Sequence, residues 1–220
     1  MKGPVVVTGS SGVAGSALRA LAPKHADRPL VFLTSRDWDL TRPEEAAACI
    51  RRHRPSGILH LAAVSGGIGL SARHHASMLR DNVLMAFNIL EAARACDVGK
   101  VVMTLTAGGY PLDAPQPFKE ESLQDGWPAE NNYGSSFAKR LIEPAVRAWR
   151  EEYGLHAVGL IPGGIFGEND NFNLEDAPML PALIRRFHEA RGHDGPVEIW
   201  GDGTPRREYT YSRDIARIFL

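Results

Sequence analysis

The chain has 220 residues, of which 44% are hydrophobic and 23% are charged, a composition typical of a globular protein with one sizeable core. Its formal net charge of -1 gives no electrostatic reason to expect a nucleic acid or an anionic membrane as a partner. No apolar stretch approaches the roughly 18 residues of a membrane span, and no targeting segment precedes the first predicted strand, so we expect a cytoplasmic protein.

The cysteines and histidines indicate neither a disulfide nor a metal centre. Cys49 and Cys96 fall in alanine-rich helical stretches, which favours two reduced thiols. The eight histidines include no pair at metal-ligand spacing beside other ligands. We therefore expect no metal site.

The first predicted strand, at 5–7, leads into a glycine-rich turn and a helix at 16–21. Gly9 permits a tight turn, Gly12 lets backbone amides approach a diphosphate, and Gly15 lets the helix lie against the sheet. The helix N-terminus then presents N–H groups to an anion, and Ser11 lies within the same turn. This pattern predicts a dinucleotide site; the alternative is a plain turn between a loop and a helix.

The segment after the second predicted strand, at 30–33, is expected to select the cofactor. Arg36 stands where an arginine can pair with the 2′-phosphate of NADP, whereas a carboxylate directly at the strand end favours NAD. Asp39 is expected near the adenine edge. The sequence therefore predicts NADP(H), with a solvated loop charge as the alternative interpretation of Arg36.

Helices and buried strands alternate along the middle of the chain. Continuous apolar runs are typical of strands covered on both faces of a parallel sheet. Further strands are predicted at 58–61, 101–105 and 157–161, and helices at 43–54, 72–95 and 136–153. The pattern predicts an α/β fold with a doubly wound parallel sheet of the Rossmann type.

From about residue 163 the pattern changes. Gly, Asn and Asp cluster before a predicted helix at 180–190 and a short strand at 197–200. We therefore expect a cofactor-binding domain over 1–162 and part of a small substrate lobe over 163–220. The last segment predicts a helix whose apolar end, 218–220, has no partner, which suggests either a truncated chain or a second chain covering that face.

Longer strings resemble the extended short-chain dehydrogenase/reductases of the NAD-dependent epimerase/dehydratase family, and within them the GDP-L-fucose synthases. The strings lie at 60–63 with 66–68, 170–173 with 180–190, and 200–209. The resemblance places Ala62 and Ala63 beside the cofactor. It places Arg186, Trp200 and Arg207 at the GDP moiety of a nucleotide sugar; solvated surface positions are the alternative for the arginines.

The activity that this resemblance implies is NADPH-dependent conversion of a GDP-4-keto-6-deoxy sugar, by epimerisation at two carbons and reduction of the ketone. Reduction needs a hydride donor and a proton donor, and epimerisation needs a separate acid/base pair. The resemblance assigns Lys139 to the nicotinamide ribose and Thr106 to the ketone oxygen. Ser135 replaces the tyrosine expected one helical turn before the lysine.

Two further positions depart from the family pattern. Gly108 and Pro178 replace the epimerising cysteine and histidine, so neither position carries a titratable proton. Tyr133 is about 120° away from Lys139 around a helix, so it is no simple substitute for the missing phenol.

Three functions remain open from the sequence. The first is an NADP-dependent reductase of a GDP-linked sugar in which Ser135 or a water relays the proton. The second is a silent homologue that binds both ligands and partners an active relative, and the third is another sugar reaction through a transient ketone. The resemblance also implies a homodimer formed through the helices predicted at 72–95 and 136–153.

Overall fold

Five parallel strands form the centre of the computed structural model, which describes residues 3–24, 29–192, 194–204 and 206–220. The strands lie side by side in the order β2-β1-β3-β4-β5. Their bounds are Val5–Thr8 (β1), Leu30–Phe32 (β2), Gly57–His60 (β3), Lys100–Thr104 (β4) and Ala157–Leu160 (β5). Because the strand order reverses between β1 and β3, the carboxyl ends of these two strands border a crevice where ligands bind in folds of this type.

Helices cover both faces of this sheet. The α-helices of the described residues are Val13–Leu21 (α1), Pro43–His53 (α2), Ile68–Ser71 (α3), His75–Ala95 (α4), Tyr133–Arg140 (α5), Ile142–Tyr153 (α6), Met179–Glu189 (α7) and Ser212–Phe219 (α8). In the part of the chain that the structure describes, no helix is long and apolar enough to cross a bilayer. The architecture confirms the predicted α/β fold.

Neighbouring residues of each strand pack into different cores. Val6 packs with Ile50 and Ile89 in the layer of α2 and α4. Val7 packs with Leu18 and Phe219 in the layer of α1 and α8. Both faces of the sheet are thus buried, which is why the strands are continuously apolar in sequence.

The helix predicted over 136–153 is two helices, and it begins earlier. Tyr133 is the first residue of α5, three residues before the predicted start. The break between α5 and α6 follows from Pro144, which has no N–H to donate to the carbonyl of Arg140. The side-chain amide of Gln124 donates to that carbonyl instead, at 3.3 Å.

The strand predicted at 197–200 is not formed. A different pair of short strands, Gly164–Phe166 (β6) and Tyr209–Tyr211 (β7), runs parallel in a separate two-stranded sheet. The carbonyl of Glu198 accepts instead from the guanidinium of Arg186, at 2.9 Å, and Trp200 is 70% exposed. A run of four residues, three of them apolar, does not specify a strand when no neighbouring strand is available to pair with it.

The apolar end of the chain is covered within the molecule. Helix α8 packs on α1, and Ile215, Ala216 and Phe219 are buried there with Leu18. Only Ile218 of this end is largely exposed, at 67%. The prediction of an unpartnered apolar end is therefore wrong, because the face of α8 opposite Ile218 belongs to the core beneath the sheet.

Candidate functional site

The glycine turn after β1 is as tight as its sequence predicts. Gly9 has a φ of 66°, and a Cβ atom there would lie 2.6 Å from the backbone nitrogen of Ala62. A Cβ atom at Gly15 would lie 2.5 Å from the Cα of Ser10, so only glycine lets α1 approach the turn this closely. No side chain caps α1 at Gly12, and Ser11 and Gly12 are exposed. The turn therefore leaves the N-terminus of α1 accessible to an anion.

A buried pair joins the ends of β1 and β3. The hydroxyl of Thr8 accepts from the backbone N–H of Ala62, at 3.2 Å, and lies 2.9 Å from Nδ1 of His60. A hydroxyl has one proton and two acceptor sites, so this bond forms with either tautomer of the neutral imidazole. Burial, followed by the charge of Lys139, lowers the pKa of His60 to about 3, so this imidazole is neutral.

Lys139 extends the same network to β4. Its ammonium donates to the carbonyl of Thr104 at 2.9 Å, and the hydroxyl of Thr104 donates to the carbonyl of His60 at 2.9 Å. Lys139 is only 8% exposed, and burial lowers its pKa to about 8. The lysine is thus held at the carboxyl ends of β3 and β4, and Ala63, three residues after the end of β3, is exposed.

Ser135 lies one helical turn before Lys139 on the same face of α5. It is half-buried, and within the described residues its side chain makes no hydrogen bond, so the hydroxyl is free to bind a water or a substrate oxygen. Thr106 is also half-buried and accepts from the backbone N–H of Gly108 at 3.2 Å. A Cβ atom at Gly108 would lie 3.3 Å from the amide nitrogen of Asn132, so this position faces the start of α5.

Tyr133 does not occupy the place of the missing phenol. Its ring stacks on that of His75 at the start of α4, with centroids 4.0 Å apart and planes 16° apart. The ring of Trp127 lies 6.0 Å away on another side. The side chain is therefore held between α4 and α5, while Lys139 reaches β4.

Arg140 holds the loop that follows β4, a role that our sequence analysis missed. Its guanidinium donates to the carbonyls of Gly109 and Gly126, and the hydroxyl of Ser136 donates to the carbonyl of Gly108 at 2.8 Å. These bonds fix the loop against α5. A buried arginine with carbonyl partners distant in sequence leaves no periodic signal, although its place directly after Lys139 was visible.

The turn after β2 leaves Arg36 exposed while it fixes the neighbouring carboxylates. Asp37 accepts from the backbone N–H and the hydroxyl of Thr34, at 2.7 and 2.8 Å, and these bonds lower the pKa of Asp37. Asp39 accepts from the backbone and the hydroxyl of Thr41, at 3.0 and 2.6 Å. Each carboxylate is held through one of its two oxygens, and the predicted contact of Asp39 with adenine competes with its local hydrogen bonds.

The structure brings two of the three predicted GDP residues together. The guanidinium of Arg186 lies over the ring of Trp200, 5.0 Å from its centroid. Arg207 is exposed and donates to the carbonyl of Arg206 at 2.8 Å.

Pro178 stands at the N-cap of α7, directly after Ala177, whose carbonyl lies 2.2 Å from a Cβ atom built on Gly67. The segment in place of the epimerising histidine therefore contacts the 66–68 string.

Comparison with known proteins agrees with this geometry. The sequence profile described as the NAD dependent epimerase/dehydratase family matches residues 5–220. A protein described as a probable GDP-L-fucose synthase from Drosophila melanogaster is 34% identical over 225 residues, which cover 98% of this chain and 70% of that protein.

Two solved structures have the same fold. A GDP-L-fucose synthetase from Naegleria fowleri bound to NADP superposes with a TM-score of 0.91 and 30% identity, over 99% of this chain and 72% of that one. MlghC, a GDP-mannoheptose C4 reductase from Campylobacter jejuni with NADP bound, gives a TM-score of 0.89 and 26% identity, over 99% of this chain and 71% of that one.

Proposed function

Because the chain belongs to the NAD dependent epimerase/dehydratase family, we propose that it is an NADP(H)-dependent oxidoreductase that reduces the ketone of a GDP-linked 4-keto-6-deoxy sugar. The observation that carries the proposal is a pair of hydrogen bonds at the carboxyl ends of β3 and β4. Lys139 donates to the carbonyl of Thr104, and the hydroxyl of Thr104 donates to the carbonyl of His60. The names of the relatives from Drosophila and Naegleria, and the NADP in the latter, support this substrate class and cofactor.

The residues around the crevice fit NADP(H). Because Gly9 and Gly15 have no Cβ atom, the glycine turn can lie close to Ala62 and to α1. The N-terminus of α1 can therefore bind a diphosphate. The exposed Arg36 can pair with the 2′-phosphate, whereas the neighbouring Asp37 is bound to Thr34. When bound, NADPH supplies the hydride that reduces the ketone carbon.

Lys139 has two functions in this proposal. Its ammonium, with one donor directed to the carbonyl of Thr104, has further donors for the hydroxyls of the nicotinamide ribose. Its pKa of about 8 makes it a stronger acid than an ordinary lysine, and so better matched to proton transfer near neutral pH. The neutral His60 adds no second positive charge beside it.

The proton reaches the ketone oxygen through water. Thr106 donates a hydrogen bond to that oxygen as negative charge develops on it. An aliphatic hydroxyl is a much weaker acid than a phenol of pKa near 10, so Ser135 positions a water and does not itself give up a proton. The ketone oxygen takes a proton from this water. Lys139 then gives a proton back to the water, and solvent reprotonates Lys139. The ketone carbon gains the hydride, so the product is an alcohol.

We propose that epimerisation is not part of the reaction. Gly108 and Pro178 carry no group that can remove or deliver a proton at the carbons beside the ketone. MlghC, whose name describes a C4 reductase, supports reduction as a separate activity within this fold.

We also propose that the protein is a cytoplasmic homodimer in which α4 and the α5–α6 pair of each copy form a four-helix contact. Three large apolar side chains on or between these helices are exposed, namely Leu84, Leu141 and Tyr153. Analytical ultracentrifugation tests this: Leu84→Glu should shift a dimer to a monomer, and a monomeric wild type would contradict the proposal.

The reaction is tested by mixing the purified protein with NADPH and GDP-4-keto-6-deoxy-mannose. We expect NADPH oxidation above the rate in buffer, a slower rate with a UDP-linked ketosugar, and a product with unchanged configuration at the carbons beside the new alcohol. If both ligands bind and no NADPH is consumed, the protein is a binding homologue without catalytic activity. The observation that favours this alternative is Ser135, which stands in place of the tyrosine.

A further inference from the structure

Arg19 connects three features at the cofactor side of the crevice. It lies in the last turn of α1 and is exposed. Its Nη2 donates to the hydroxyl of Ser10 at 3.2 Å, and its guanidinium lies over the ring of Phe32, 4.5 Å from the centroid. Ser10 belongs to the glycine turn and Phe32 is the last residue of β2, so the guanidinium stands where the turn and the end of β2 meet.

Ser10, which accepts from Arg19, is also hydrogen-bonded to the segment that leads into Arg36. The backbone N–H of Ser10 donates to the carbonyl of Leu33 at 3.1 Å, and Thr34, Ser35 and Arg36 follow directly. In folds of this type the ribose 2′ position of the adenosine lies beside the end of the second strand. The positive charges of Arg19 and Arg36 therefore lie on two elements that meet at this end.

The contacts of Arg19 suit a phosphate ligand. A guanidinium has five N–H donors in a plane, so the bond to Ser10 leaves further donors for a bidentate pair. Stacking on Phe32 restricts the orientation of that plane. The carboxylate of Asp37 stays negative and is held by hydrogen bonds to the backbone and hydroxyl of Thr34, so the two guanidinium groups together must outweigh its repulsion of a phosphate. We propose that Arg19 and Arg36 together bind the 2′-phosphate of NADP(H), so that cofactor choice depends on both.

This inference rests on the proposed use of NADP(H), and cofactor titrations separate the two. The dissociation constants of NADPH and NADH are measured for wild type, Arg19→Ala, Arg36→Ala and the double variant. Arg147→Ala is the matched control, because it removes an exposed arginine of α6 that pairs with Glu151. Competition by 2′,5′-ADP and by 5′-ADP reports the phosphate contact without the nicotinamide.

We expect Arg19→Ala to weaken NADPH and 2′,5′-ADP by about tenfold or more, while NADH and 5′-ADP change by less than about twofold. Arg19→Lys should be intermediate, since it keeps the charge without the planar fork. An unchanged NADPH to NADH ratio in Arg19→Ala, or an equal loss for both cofactors, would overturn the inference while leaving NADP(H) use intact. Wild type that binds neither cofactor would overturn the proposed function, and this inference with it.

Discussion

The ammonium of Lys139 donates to the carbonyl of Thr104 across 2.9 Å, which joins the last turn of α5 to the carboxyl end of β4. The same strand end is joined to β3 through the hydroxyl of Thr104 and the carbonyl of His60. The position of the lysine is therefore set by the sheet and not by the helix alone. This arrangement remains although the tyrosine expected one turn earlier is Ser135.

Burial of Lys139 predicts a pH-dependent stability. Its pKa is about 8 in the folded protein against 10.5 for an unperturbed lysine, so between these values the unfolded chain binds more protons than the folded one. The free energy of unfolding that this lysine contributes therefore rises with pH in that window, by at most about 1.4 kcal/mol per pH unit. Urea unfolding of wild type and Lys139→Met at several pH values measures it. Equal pH dependence in the two proteins would show that the lysine is not buried.

The neutral His60 predicts a dependence of the same sign in acid. Its pKa of about 3 lies below the ordinary 6.5, so between these values the unfolded chain takes up a proton that the folded protein excludes. Stability is present above pH 6.5 and is lost as the pH falls toward 3. We expect His60→Gln to lose less stability than wild type between about pH 7 and about pH 5. His156→Gln, at an exposed position, is the control, and a matching loss in both variants would contradict the assignment.

A phenol at position 135 should accelerate reduction. Ser135→Tyr places a phenolic hydroxyl on the face of α5 that carries Lys139, where it can donate a proton without a relay through water. We expect kcat for NADPH oxidation to rise by about 100-fold with a GDP-linked 4-ketosugar. Ser135→Phe, which fills the same space without the hydroxyl, should show no gain. A rate unchanged by tyrosine would mean that the crevice no longer positions the ketone.

Substitutions at two glycines of the turn should have different effects, one on the free energy of unfolding and the other on NADPH binding. Gly15→Ala forces a Cβ atom to 2.5 Å from the backbone of Ser10, so we expect a loss of about 2 kcal/mol or more in unfolding free energy. Gly12→Ala meets only an ordinary contact at 3.5 Å. It should therefore unfold like wild type but bind NADPH more weakly, because the diphosphate can approach less closely. Equal stability of the two variants would contradict the tight packing of α1 on the turn.

The periodic part of the fold could be predicted from the sequence. Strands such as Val5–Thr8 are continuously apolar because both of their faces are buried, and this pattern is local. The break before α6 has a local cause, Pro144, and could have been predicted from the sequence. The pairing of Gly164–Phe166 with Tyr209–Tyr211 and the covering of Phe219 by α1 could not be predicted, because each depends on contacts between residues distant in sequence.

The parts of the site that depend on local sequence could also be predicted, and those that depend on distant contacts could not. The glycine turn and the helix carrying Lys139 could be placed from spacing and resemblance. The bond between Thr8 and His60 joins residues 52 positions apart, and it arises because β1 and β3 are neighbours that end at the same edge of the sheet. Arg19 was passed over for a related reason: nothing in its own helix indicates that it meets Ser10 and Phe32.

The central claim is that this crevice transfers a hydride to a GDP-linked ketosugar without the usual phenol. It is tested most directly by incubating stoichiometric protein with NADPH deuterated on the nicotinamide C4 and with GDP-4-keto-6-deoxy-mannose, followed by the mass and NMR spectra of the sugar. We predict one deuterium at the sugar C4 and none at the carbons beside it. Bound NADPH and ketosugar with no deuterium in the sugar would contradict the claim.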